Sequence, residues 1–170
     1  MKRRWTALGL MMALILTLFT MTPTLNTIKT TAFDPYVEGE ITQQEFFDRA
    51  KLPLKRFMLR NTEIGTVQMY CEMAGETAPT TVEELEASVD LPMLVIAPAF
   101  VTSELKAAFW IGFLLYIPFM LIDVIVSSTL MSMGMIMLPP SMISTPFKIL
   151  LFILLDGWSL LFSTLIQTVQ

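Results

Sequence analysis

The chain has 170 residues, of which 54% are hydrophobic, and its formal net charge at pH 7 is −4. It contains no histidine and a single cysteine, which excludes histidine-based acid–base catalysis, histidine-ligated zinc and an intrachain disulfide. The eleven basic residues are too few and too scattered for a nucleic-acid surface, and no glycine-rich phosphate loop is present. We therefore expect no enzyme active site, no cofactor, no metal ion and no nucleic-acid partner.

The apolar stretches indicate the class of protein. In residues 107–131 the only charged side chain is Asp123, and in residues 149–169 it is Asp156. A helix that crosses the hydrocarbon core of a bilayer, about 30 Å thick, needs about 20 mainly apolar residues, so both stretches are long enough. We predict an all-α fold in which helical hairpins are integral to the membrane and one helical segment lies outside it.

The N-terminus, MKRRWTALGLMMALILTLFTM, joins three basic residues to an apolar run over residues 5–21. This pattern is typical of a signal peptide or a short membrane anchor. We favour an uncleaved anchor because no A-x-A-like cleavage site follows, and the basic residues predict a cytoplasmic N-terminus. Residues 22–104 contain thirteen acidic and six basic residues, which suits the periplasmic side. We expect an anchor over 1–21, an acidic helical segment over 22–91 and a hydrophobic helical hairpin over 92–170.

Local signals place helices in the acidic segment. Thr42 and Glu45 have the spacing of a capping box, in which each side chain satisfies a backbone donor of the other residue. Pro53 is expected to kink or interrupt the helix that follows. A second helix is predicted over residues 62–74, ended by Gly75 in the left-handed conformation.

Two further helix starts are predicted nearer the hydrophobic half. Thr80 and Glu83 suggest another capping box, for a short helix that ends at Val89. The polar sequence VTSELK suggests that Thr102 or Ser103 caps the start of the long apolar helix.

Prolines mark the expected kinks and turns of the hydrophobic half. Four are candidate hinges: Pro98, Pro118, Pro139 and Pro140. We expect the chain to turn around residues 139–140 and again at residues 145–146. The last helix is then expected to begin near Phe147.

Three charged residues in apolar surroundings are the first candidates for function: Asp123, Lys148 and Asp156. An ionised group alone in hydrocarbon is unfavourable by about 2.5 kcal/mol or more, so such groups normally pair or line water. One interpretation is a polar pathway or a proton-sensitive site, and the other is a structural pair that joins helices or subunits. We prefer Asp123 with Lys148, and Asp156 is the competing partner.

The sequence MSMGMIMLPP places methionines at every second position: Met131, Met133, Met135 and Met137. Three interpretations are open. The first is ordinary apolar packing, since methionine fills irregular gaps. The second is a Cu(I) site of thioether ligands. The third is a deformable seal formed where several copies meet on an axis, with Gly134 giving the backbone freedom.

The hydrophobic half resembles a known family. PAFVTSELK, GF…IPF…ID, MSMGM…PP, PFK and DGW occur in the order and at the spacing of the FliP family of flagellar biosynthesis proteins and its virulence-secretion relatives. Part of the acidic segment, NTIKTTAFDPYVEGEITQQEFFDRAKLPLKRFMLR, also resembles this family.

The resemblance implies a structural role. The family forms the pore of the flagellar type III export gate, in the inner membrane at the flagellar basal body, where several copies assemble with FliQ and FliR. Further export proteins such as FlhA and FlhB, unfolded flagellar polypeptides and membrane lipid are the other implied partners. The resemblance also implies that residues 131–137 form the methionine gasket of the closed pore. Asp123 and Lys148 fall at the family's charged positions within the membrane.

Family members usually carry a signal peptide and another apolar helix before the stretch that residues 8–21 match. We therefore expect a truncated reading, a fragment or a shortened paralogue. The alternatives to an export-gate subunit are an ion-conducting subunit that uses Asp123 and Asp156 as proton carriers, a copper-binding membrane protein, or a nonfunctional truncation.

Overall fold

A computed structural model describes residues 2–135 and 138–168, and every regular element in these ranges is helical. The all-α prediction is therefore confirmed for this part of the chain. In order, the helices are α1 (Lys2–Ile28), α2 (Asp34–Val37), α3 (Gln43–Arg60), α4 (Ile64–Ala74), α5 (Val82–Ala87), α6 (Met93–Ser132), α7 (Pro140–Leu154) and α8 (Gly157–Thr168). A π-helical turn, Lys29–Phe33, joins α1 directly to α2.

The chain divides into two compact units, Met1–Leu105 and Lys106–Thr168. Two helical stretches among the described residues are long and apolar enough to cross a membrane. They are Thr6–Val37 and Met93–Ser132, with mean hydropathies of 1.8 and 2.2. The helices Pro140–Leu154 and Gly157–Ile166 are bent by 61° relative to each other and together form a third candidate span. The membrane-protein prediction is confirmed at this level of length and composition.

Capping signals correctly located the first helices of the acidic segment. At the start of α3 the Glu45 N–H donates to Thr42 Oγ1 at 3.3 Å, and the Thr42 N–H donates to Glu45 Oε2 at 2.8 Å. Helix α4 ends at Gly75, whose φ of 73° is left-handed, as predicted. Helix α3 passes through Pro53 without interruption, and the carbonyl that loses its partner there belongs to the exposed residue Arg49.

The cap of α5 lies one residue beyond the predicted pair of Thr80 and Glu83. Thr81 is the N-cap, and its Oγ1 accepts a hydrogen bond from the Glu84 N–H at 3.2 Å. Thr80 adds two hydrogen bonds, since its N–H and its hydroxyl each donate to Glu84 Oε2 at 2.7 Å. Two successive threonines left two possible N-cap positions. Glu84 binds both of them, since its carboxylate accepts from Thr80 and its backbone N–H donates to Thr81.

A hydrophobic core joins the acidic segment to the first turns of α6. Its buried members are Met58, Leu59, Val67, Cys71, Leu85, Leu91, Val95, Ile96 and Ala99. Lys55 fixes the loop that leads into α6, because its Nζ donates to the carbonyls of Val89 and Leu91 at 2.9 and 2.8 Å. Burial also raises the pKa of the Cys71 thiol, which leaves this cysteine poorly reactive.

Helix α6 begins at Met93, so the prediction that Thr102 or Ser103 caps its start is wrong. The apolar residues at the beginning of α6 pack on the core and extend the helix towards its N-terminus. Thr102 and Ser103 are tied to the acidic segment instead. Ser103 Oγ accepts from the Glu63 N–H at 2.9 Å, and the Thr102 and Tyr70 hydroxyls are 3.0 Å apart.

The second unit contains the rest of α6, followed by α7 and α8. Pro140 occupies the first turn of α7, where its missing N–H costs no hydrogen bond. The helix then continues through Pro146, so the turn predicted at residues 145–146 is wrong. The break falls at Asp156 instead, whose φ is 47°. At the next residue, Gly157, an added Cβ would collide with the ring of Phe152 and force this ring to move.

Candidate functional site: the α6–α7 hairpin

Asp123 is the centre of a polar cluster between α6 and α7. Its Oδ2 accepts from Lys148 Nζ at 2.6 Å, and its Oδ1 accepts from the Ser144 hydroxyl at 2.6 Å. Both carboxylate oxygens are therefore occupied. The ion pair is only partly exposed, and Ser144 is fully buried. This arrangement gives a charge in an apolar helix the partner that it needs, and it fixes α7 against α6.

The partners of Asp123 come from one face of α7. Ser144 and Lys148 are four residues apart, so an unbroken helix places them one above the other. The sequence indicated the lysine and missed the serine. The signal was available in the i, i+4 spacing, but the turn wrongly predicted at residues 145–146 placed Ser144 outside the helix.

Asp156 lies apart from this cluster, at the break between α7 and α8. It forms no ion pair with any residue that the structure describes. Its backbone shapes the break, because its N–H donates to the Ile153 carbonyl and its carbonyl accepts from the Leu160 N–H, both at 3.1 Å. Aspartate is one of the few residue types besides glycine that adopts a positive φ readily.

Of the methionine sequence, residues 131–135 lie at the tip of the hairpin, eight to twelve residues after Asp123. The Gly134 N–H donates to the Met131 carbonyl at 3.1 Å, and the Met135 N–H donates to the Leu130 carbonyl at 3.0 Å. With a φ of 75° at Gly134, these two bonds form a Schellman cap that ends α6. Gly134 is therefore needed for its left-handed conformation.

The methionine side chains at this tip face outward from the chain. The exposed fraction is 70% for Met131, 66% for Met133 and 40% for Met135. Met137 lies outside the described residues. Large apolar side chains that stay exposed on one chain are available for contact with a partner.

The candidate hinge prolines differ in position. Helix α6 runs without a break through Pro98 and Pro118. Pro139, with an extended ψ of 117°, is the residue before α7, and Pro140 is in its first turn. Among the described residues, no group of three or more histidine, cysteine, aspartate or glutamate side chains is placed to hold a metal ion.

The comparison with known proteins gives a consistent result. The model of the FliP family matches residues 6–165. The flagellar biosynthetic protein FliP of Aquifex aeolicus is 44% identical over 159 residues, which are 94% of this chain and 65% of that protein. The FliP of Bacillus subtilis is 45% identical over 157 residues, covering 92% of this chain and 68% of that protein. The FliP of Pectobacterium carotovorum is 42% identical over 157 residues, which are 92% of this chain and 58% of that protein. The chain thus spans about two thirds of the length of these curated relatives, or less.

Proposed function

Since the chain belongs to the FliP family, we propose that it is a pore-forming subunit of the flagellar export gate. The family and the apolar helices place it in the bacterial inner membrane, as a multi-pass protein at the base of the flagellum. Its role is structural, and unfolded flagellar polypeptides are the cargo that passes through the gate. The observation that carries the proposal is the hairpin of α6 and α7, whose ion pair holds an exposed methionine tip in place.

The proposed partners follow from the apolar surface and the family. On α6, large apolar side chains such as Phe109, Trp110 and Phe113 are exposed. Further copies of this chain, together with FliQ and FliR, cover these surfaces in the assembled gate, and lipid covers the remainder. FlhA and FlhB are the further export proteins that the assembled gate contacts.

The methionine tip is proposed to seal the closed pore. Copies arranged around an axis bring Met131, Met133 and Met135 together, and Met137 belongs to the same sequence. Thioether side chains are unbranched and polarizable, so they pack closely and separate again without the loss of hydrogen bonds. A seal of this kind excludes ions while the gate is closed and yields to a passing polypeptide.

Ion leakage tests the seal. The assembled complex carrying M133A and M135A is expected to pass small ions through membranes that the unmodified complex keeps tight. The matched control is M12A with M120A, which also removes two exposed methionines but leaves the tip unchanged. Tight membranes with the tip variant would contradict the seal, and an equal leak with the control would show that the tip is not responsible.

Secretion of flagellar proteins tests the role of the ion pair. D123N and K148Q are each expected to reduce secretion, because each leaves one charge without a partner in apolar surroundings. The charge reversal D123K with K148D is expected to restore part of it. A reversal that never improves on the single variants would refute a pairing role. If D123N lowers a proton leak of the complex, the residue conducts protons instead.

A further inference from the structure

A groove of about 650 Å³ lies between α1 and α3, within the first unit. Its α1 wall includes Phe19 and Pro23, and its α3 wall includes Arg56, Phe57 and Arg60. The two arginines are four residues apart, so they lie on the same face of α3. We propose that this groove binds the phosphate headgroup of an anionic phospholipid.

The two arginines are exposed, and neither is paired with a residue that the structure describes, by a side-chain hydrogen bond or an ion pair. On the same helix, Lys51 is paired with Asp48 at 3.1 Å, and Lys55 donates to two backbone carbonyls. Two neighbouring guanidinium groups repel each other, and an anion between them relieves the repulsion. A phosphate group suits the position because its oxygens accept paired hydrogen bonds from guanidinium.

The other polar groups that line the groove do not supply the anion. Thr20, Thr22 and Thr27 donate their hydroxyl hydrogens to carbonyls of α1 itself, at 3.0, 2.8 and 3.0 Å. The Asn61 amide nitrogen donates to the Phe57 carbonyl at 2.8 Å. The lining residues include no aspartate or glutamate among those described. A ligand must therefore bring the negative charge.

The position of the groove favours a lipid over a free anion or a carboxylate of a second copy. At about 1.5 Å per residue, the apolar run over residues 5–21 is about 25 Å long, close to the thickness of the hydrocarbon core. The groove begins at Phe19, near the end of this run, so an α1 that spans the bilayer over residues 5–21 brings the groove to the level of the headgroups. Leu14, Leu18 and Phe19 are exposed on α1. A ligand there meets apolar surface and two cations together, which matches the two parts of a phospholipid.

The test is a titration of the full chain in detergent, followed by native mass spectrometry. The probes are dioctanoylphosphatidylglycerol, dioctanoylphosphatidylcholine with the same acyl chains, and inorganic phosphate. We expect saturable binding of phosphatidylglycerol and weaker binding of the other two. R56Q with R60Q is expected to weaken phosphatidylglycerol binding by about tenfold or more, because two charge-assisted contacts are lost. R56K with R60K keeps the charge but loses the paired geometry of guanidinium. Its affinity for phosphatidylglycerol is expected to lie between those of the unmodified chain and of R56Q with R60Q.

The matched control is R49Q with K51Q, which removes the same charge from α3 outside the lining of the groove. Its affinity for phosphatidylglycerol is expected to stay within about twofold of that of the unmodified chain, because charges far from the groove are screened. An equal loss in this control would overturn the proposal, as would inorganic phosphate binding as tightly as the lipid. The proposal also fails if R56Q with R60Q changes the copy number by light scattering while lipid binding is retained, since the groove is then a protein interface. The outcome does not depend on the export-gate function.

Discussion

Ile96 at the start of α6 offers a sharp test of how the apolar hairpin is joined to the acidic segment. Its side chain is fully buried in the core formed with α3, α4 and α5. Truncation to alanine removes three buried carbon atoms and leaves a cavity, for which the cost is typically about 2–5 kcal/mol. We take about 3 kcal/mol, near the middle of this range.

Hydrogen exchange read by mass spectrometry measures this loss locally. If exchange of the core amides of α3 and α4 proceeds through opening of the core, a loss of about 3 kcal/mol increases their exchange rate by about 100-fold. Measurement on the full chain in detergent keeps the apolar helices covered. The amides of α7 and α8, which belong to the second unit, provide an internal reference and are expected to change little.

Leu94 is the matched control for Ile96. It is two residues earlier on the same helix, and the exposed fraction of this residue is 88%. Leu94→Ala is expected to cost less than about 0.5 kcal/mol, which changes exchange by about twofold at most. If Leu94→Ala accelerates exchange of the core amides as strongly as Ile96→Ala does, burial at the start of α6 is not what joins the two parts.

Two further predictions concern fixed polar contacts of the acidic segment. Lys55→Met removes the hydrogen bonds to the Val89 and Leu91 carbonyls and is expected to destabilise the loop before α6 by about 1–2 kcal/mol. The control Lys51→Met removes one member of an exposed ion pair and is expected to cost about 0.5 kcal/mol or less. Thermal melting of both variants measures the difference. The pKa of Glu45 is lowered by hydrogen bonds from the Thr42 N–H and hydroxyl, and the pKa of Glu84 by hydrogen bonds from the Thr80 hydroxyl and N–H. A carboxyl group whose folded pKa lies below its unfolded pKa stabilises the fold above the unfolded pKa, and this contribution is lost as the pH falls through the folded pKa. Melting temperature is therefore expected to fall on acidification in that range, and to fall less in E45Q with E84Q than in the control E38Q with E40Q; an equal fall in both would contradict the capping role.

Local interactions were the part of the fold that the sequence predicted well. The capping box of Thr42 and Glu45 and the left-handed end of α4 at Gly75 depend on residues within five positions of one another. The start of α6 was misplaced because a tertiary contact decides it. The apolar residues after Met93 extend the helix by packing on the core, and the hydroxyl of Ser103 is then used by a backbone group forty residues away.

The candidate site was predicted only in part, for a related reason. An isolated charge in an apolar helix predicts that a partner is present, and this argument correctly predicted the pair of Asp123 and Lys148. The role of Ser144 required α7 to continue through Pro146, which proline statistics disfavour. The break at Asp156 was missed because residues 149–169 form one long apolar stretch that was expected to be part of a single helix.

Cross-linking at Met133 tests the central proposal most directly, namely that identical methionine tips meet on a shared axis. Met133→Cys places a thiol at the exposed tip, and the buried Cys71 with its raised pKa competes poorly for oxidation. In assembled complexes, oxidation or a short thiol-reactive cross-linker is expected to join neighbouring copies, while the same chain dispersed in detergent stays unlinked. Assembled, secretion-competent complexes that form no cross-link at this position would contradict the account.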